Sequence, residues 1–227
     1  MTGCILDPGE LPPLDSDELR TLRARVFADG ICASDFVTLL EHEDHAFQLV
    51  FGENTLLKIE FDVAMIGEHS HMVRIPGRGE EPEIITAYPG NGYLRVARPT
   101  PWHESPHSPM RGQTSHQRVA IIATEFSEDD WRRVAIVAEA INEANLNYNF
   151  LFQNSNSVVA TLAEVAKTAF TDLPGGGLNL GAGNTLFDEL LGGRQVPKFL
   201  VRGGTSHSGD TTSPVPDSLP KDVDTDA

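Results

Sequence analysis

Four small polar residues carry the most suggestive chemistry in this chain. In YNFLFQNSNSVVATL, from Tyr148 to Leu162, the residues Asn154, Ser155, Asn156 and Ser157 separate an aromatic approach from an apolar run. If that run is a helix, a serine hydroxyl at its start lies at the positive end of the helix dipole. Backbone N–H groups there can receive the charge of an oxyanion. The same residue types are favoured N-caps, so the string also reads as plain helix capping in a tight turn.

A serine nucleophile needs a base within about 3 Å, and the base needs a group to orient it. Eight histidines are available: His42, His45, His69, His71, His103, His107, His116 and His207. His45 opens HAFQLVF and His71 opens HMVRI; both runs read as strands, which would hold their backbones rigidly. The preferred pair is Ser155 with His45, with Ser157 as the alternative nucleophile and His71 as the alternative base. Glu60 and Asp62 share one face of LLKIEFDV, and Glu60 is the choice for the orienting group. Lys58 shares that face, which equally describes a solvated, charged strand surface. Gln48 and Asn154 are further polar candidates, and Glu83 becomes relevant if His71 is the base.

Other chemistries find less support. His69 and His71 could chelate a metal with Glu68 or His45, but no H-E-x-x-H and no thiolate pair accompanies them. No cofactor or metal is therefore assigned. PGGG and GAG are not phosphate loops, because no G-x-x-x-x-G-K-[ST] occurs, and no G-x-S-x-G elbow is present.

The elements that would position these residues follow from periodicity. A helix is expected from Ser16 to Gly30 and a shorter one from Ser34. Between residues 45 and 98 the runs HAFQLVF, LLKIEFDV, HMVRI, EIITAY and YLRVAR, separated by turn residues, predict antiparallel strands. Residues 99–117 have no usable period and read as a surface excursion or lid, with Trp102 exposed on it. RVAIIATEF reads as a buried strand, and Ser127 caps a helix whose first turn is Glu128, Asp129 and Asp130. A second, deeply packed helix starts after the NSNS string. The class is α+β, a small antiparallel sheet packed against helices. Residues 1–14 are expected as a flexible leader, 15–204 as a single domain and 205–227 as a disordered acidic tail.

Composition narrows the partners. Among 227 residues, 33 acidic side chains oppose 17 basic ones, a formal charge of −16. Phosphate neutralisation needs clustered Lys and Arg, so no nucleic-acid partner is expected. No apolar stretch approaches the ~20 residues of a membrane helix, so no membrane partner is expected either. The N-terminus lacks a secretory pattern, which predicts a cytoplasmic protein or export by a route without a classical signal. Cys4 and Cys32 read as a loose thiol and a small buried hydrophobe, with a disulfide open as the alternative.

A strand-opening histidine followed by a tyrosine-led turn of Asn-Cys-Asn type opening a helix resembles the circularly permuted papain-like hydrolases, including NlpC/P60-like and PPPDE-like families. Here His45 in HAFQLVF matches the histidine, and Ser155 in YNFLFQNSNSVV stands at the cysteine position. The resemblance spans residues 45 to 170, and its specific part is about twenty residues. It implies a permuted papain-like arrangement and attack on amide, isopeptide or acyl bonds. Serine is a poorer nucleophile than a thiol and needs a committed base. The resemblance therefore implies one of two functions: a hydrolase of an amide or acyl bond using a Ser–His pair, or an inactive papain-like domain that binds a peptide, glycan or protein.

Overall fold

The two ends of α1 (Ser16–Asp29) show how local chemistry sets the elements. The Asp15 carboxylate accepts hydrogen bonds from the backbone N–H groups of Asp17 and Glu18, and Gly30, at φ +84°, ends the helix. The structure, a computed structural model, describes residues 4–6, 11, 15–42, 45–63, 67–102, 104–105, 117–168 and 180–192. The expected tail 205–227 lies outside the described residues, as do His103, His107, His116 and His207.

After α2 (Ala33–Glu41), the run expected as the first strand is instead the helix α3 (Ala46–Phe51). Ala46, Phe47, Val50 and Phe51 are buried together, the i, i+1, i+4, i+5 pattern of a helical face. A short apolar run does not by itself distinguish strand from helix. The boundaries decide it: His45 turns the chain in the left-handed region at φ +53°, and Gly52 closes the helix at φ +93°.

The remaining strands arrive as an antiparallel meander, β1 (Thr55–Val63), β2 (Gly67–Ile75), β3 (Glu83–Gly90) and β4 (Tyr93–Val96). A two-residue Asn91-Gly92 turn joins the last pair, with both residues at positive φ, the geometry that matches strand twist in a tight hairpin. A short β5 (Thr100–Pro101) pairs with β3, and β6 (Gln117–Ala123) adds to β1, giving the order β4-β3-β2-β1-β6. β6 is an edge strand with Ile121 exposed, not the fully buried strand its apolar run suggests. At the other edge, the Asn142 side-chain amide bonds both the N–H and the carbonyl of Val96, so α4 (Glu128–Ala144) covers an otherwise open strand edge.

Strand pleating sorts the core into two layers. Leu56, Met72, Ile85 and Ala87 point to one side and pack with α4, α5 (Ser155–Val165) and α6 (Phe187–Gly192). Leu57, Ile59, Val73, Ile75 and Ile84 point to the other and pack with α1, α2 and α3. Trp102, expected on an exposed lid, is wholly buried in this second layer, its ring tilted by 37° against Phe36 at 4.6 Å. Part of the expected leader is also fixed. Leu6 is buried in the second layer, and Ile5 and Leu11 pack beside it. Thus an antiparallel sheet packed between helices, a mixed α/β fold, is the architecture. No helix among the described residues is long and apolar enough to cross a membrane.

Candidate functional site

The tetrad before α5 divides its labour. Asn154 is the N-cap, its side-chain oxygen accepting from the N–H groups of Asn156 and Ser157. Its amide nitrogen donates to the carbonyls of Phe150 and Leu180. Gly181 lies so close to this side chain that an added Cβ would meet Asn154 Oδ1 at 2.7 Å, and its φ of +84° also favours glycine. Ser157 completes a capping box: its hydroxyl donates to the Asn154 carbonyl at 2.8 Å and accepts from the Asn154 N–H at 2.9 Å. With no exposed surface and both roles of its oxygen in use, Ser157 is a structural residue and not the alternative nucleophile. Asn156 donates to the Leu180 carbonyl. Ser155 occupies the first helical position, buried at 5% exposure, and caps nothing.

The expected bases do not reach it. His71 pairs across the sheet with Ile59 and Thr86, on the side that packs against α1, α2 and α3. Its Nδ1 lies 2.7 Å from the Thr86 hydroxyl, and His69 Nε2 lies 3.2 Å from the same oxygen. The two rings meet edge-on at 4.7 Å, so the histidines do share one side. His45 precedes α3 and belongs to that same layer. α5 packs on the opposite face, with Leu56, Met72 and Ile85. The sheet therefore stands between Ser155 and both His45 and His71, and neither pair forms.

Glu60 falls on the α5 face, in step with Leu56 and Lys58 along β1, and so cannot orient either histidine. The expected solvated surface is absent: Lys58 Nζ and Glu60 Oε1 form an ion pair at 2.5 Å, with both side chains fully buried. Arg118 Nε approaches the other Glu60 oxygen at 3.8 Å. Opposite charges at this range offset much of the desolvation that burial costs each ion. Asp62 and Glu68 have side chains outside the described set.

A pocket of about 400 Å³ opens on the α1–α3 side. Leu39, Leu40 and Phe47 supply apolar wall, and Glu41, Glu80 and Glu81 supply carboxylates, with His42 and His45 between them. α2 ends here, so the last helical carbonyls add their partial negative charge to the rim. Gln48 ties α3 to the facing turn by donating from Nε2 to the Glu80 carbonyl at 2.8 Å. Sequence reasoning noted Gln48 and His45 but not this enclosure. The only available signal was the acidic run around residue 41 and the GEE turn at 79–81.

Cys4, Cys32 and Asp35 bring their ligand atoms within 4.8 Å of one another, but the sulfurs are joined in a disulfide and the carboxylate accepts three backbone N–H groups. The exposed aromatics are Phe150, Phe152 and Tyr93 rather than Trp102, and they flank the turn that leads into Ser155. Burial pushes the nearby Tyr148 phenol above its usual pKa. No family model matches the chain, and no curated protein or solved structure matches it.

Proposed function

We propose that this chain is a binding module, a papain-like arrangement without a working Ser–His pair, and that it takes a cationic peptide segment in the pocket between α2, α3 and the turn at 79–82. The buried helix α5, capped at Asn154 and laid on an antiparallel sheet, supports the papain-like part of this reading. One observation carries the binding part. The pocket combines three carboxylates and a helix C-terminus with the apolar side chains of Leu39, Leu40 and Phe47. A lysine or arginine side chain has the matching build, a charged head on an aliphatic stem. The volume lies within the range of small-ligand sites, about 300–1,000 Å³. The formal charge of −16 adds a long-range field that draws cations to the surface.

The test is an NMR titration with N-acetyl-arginine amide and, as control, its uncharged citrulline counterpart. Shifts confined to residues 39–42, 45–48 and 79–82, with the arginine compound alone, are the expected result. The Glu80→Gln/Glu81→Gln variant should bind roughly tenfold more weakly, the equivalent of about 1.4 kcal/mol. Equal shifts with citrulline would remove the cation from the proposal. Treatment with a fluorophosphonate addresses catalysis directly. Labelling at Ser155 that vanishes in Ser155→Ala would overturn the inactive reading in favour of a serine acyl hydrolase.

A further inference from the structure

The N-terminal segment is held to α2 by a bond that a reductant can reach. Cys4 and Cys32, 28 positions apart in sequence, are joined through a disulfide with their Cα atoms 5.3 Å apart. Cys32 is the N-cap of α2, and its sulfur accepts from the Asp35 N–H at 3.4 Å. The Asp35 carboxylate reaches back, taking hydrogen bonds from the N–H groups of Ile5 at 3.0 Å and Leu6 at 2.9 Å. Leu6 is buried among the second layer of the core. Residues 4–6 are thus fastened by the disulfide, by the two bonds to Asp35, by Ser34 Oγ donating to Cys4 Sγ at 3.1 Å and Arg25 donating to the Ile5 carbonyl at 3.4 Å, and by Leu6 with Ile5 beside it on the core.

The two sulfurs are not equivalent. Cys4 is exposed and Cys32 is buried at the start of a helix. In thiol–disulfide exchange the attacked sulfur must be accessible, and the better leaving group is the thiolate that its surroundings stabilise. A thiolate at Cys32 would be met by the Asp35 N–H and by the positive end of α2. The neighbouring carboxylate opposes it, but that charge is already shared among three backbone donors.

The geometry points to a redox modification site, in which a dithiol reductant opens the Cys4–Cys32 bond and frees residues 4–6 from α2 while the domain stays folded. A reductant thiolate attacks Cys4 Sγ, forming a mixed disulfide and expelling the Cys32 thiolate, which takes up a proton. The reductant's second thiol, as thiolate, then attacks its own sulfur in that mixed disulfide and expels the Cys4 thiolate. The products are two protein thiols and an oxidised reductant, a balanced two-electron exchange. This inference is independent of the pocket reading.

The test uses the full chain in oxidised form. Brief exposure to glutathione followed by iodoacetamide should place glutathione on Cys4 and the alkyl group on Cys32, read by peptide mass spectrometry. Full reduction with dithiothreitol should speed amide exchange of Ile5 and Leu6 at least tenfold while leaving β1, β2 and α5 protected. Cys4→Ser should show the same exchange pattern without reductant, which separates the latch from side effects of the reagent. Glutathione found chiefly on Cys32 would overturn the assignment of the attacked sulfur. Resistance to excess dithiothreitol under native conditions, unchanged exchange at residues 5 and 6, or collapse of the whole fold on reduction would each overturn the site as a switch.

Discussion

On the α5 side of the sheet, Lys58 and Glu60 are wholly buried and pair at 2.5 Å, whereas on the α1–α3 side Glu41, Glu80 and Glu81 line a cavity beside His42 and His45, with no lysine or arginine among its lining residues. The first arrangement satisfies its charges internally and leaves little for a ligand to do. The second gathers three carboxylates beside an apolar wall, the build that suits a charged head on an aliphatic stem. Buried polar residues on a strand are not a catalytic array merely because acid, base and hydroxyl all occur in one chain, since the sheet separates them by face.

The strongest way to break this contrast is to unpair the buried ions. Glu60→Ala should destabilise the domain by about 3–5 kcal/mol, since it removes the carboxylate that pairs with the buried Lys58 ammonium. The double change Lys58→Met/Glu60→Leu should recover most of that loss, and urea unfolding of the three proteins measures both effects. If Glu60→Ala were nearly neutral, the two faces would differ far less than the geometry indicates.

Next in size is the cap of α5. Asn154→Ala should cost about 1–2 kcal/mol, because the side chain caps the helix and also holds the 180–181 turn. Gly181→Ala should weaken the same junction, since its Cβ would press on the Asn154 amide. Ser155→Ala should stay within about 0.5 kcal/mol, the range of substitutions that break no structural bond. Thermal melts of the three variants rank them. A larger loss in Ser155→Ala than in Asn154→Ala would reverse the division of labour within the tetrad.

The smallest effect sharpens the contrast between buried and exposed pairs. The Arg98 guanidinium hydrogen-bonds Glu139 and holds its carboxyl below the ordinary range. A carboxylate with a lowered folded pKa contributes its stability above the unfolded value and loses it as pH falls through the folded one. Arg98→Ala should therefore raise the Glu139 titration midpoint by NMR without a measurable change in melting temperature, as expected for an exposed ion pair.

Much of the architecture was legible in the residues. Strand runs between turn residues placed β1 to β4, and Ser127 with its acidic first turn marked α4. The near-continuous apolar surface of α5 announced a buried helix. HAFQLVF was not legible, because a seven-residue run fits either period and only His45 and Gly52, both at positive φ, decide for helix. Trp102 was misplaced for a related reason: its neighbours Phe36 and Phe47 are distant in sequence. In the tetrad, the residue types showed a cap, but which hydroxyl is committed to it depended on backbone geometry.

The alternation of the strands, the ends of α1, the start of α4 and the acidic excess follow from neighbours a few positions apart or from composition. Which face of the sheet each polar residue occupies relative to the helices follows from packing alone. Pleating puts Lys58 and Glu60 on one side of a strand and Ile59 on the other. Which helices cover each side, and therefore whether Ser155 meets a histidine, is set by long-range packing that no local pattern encodes.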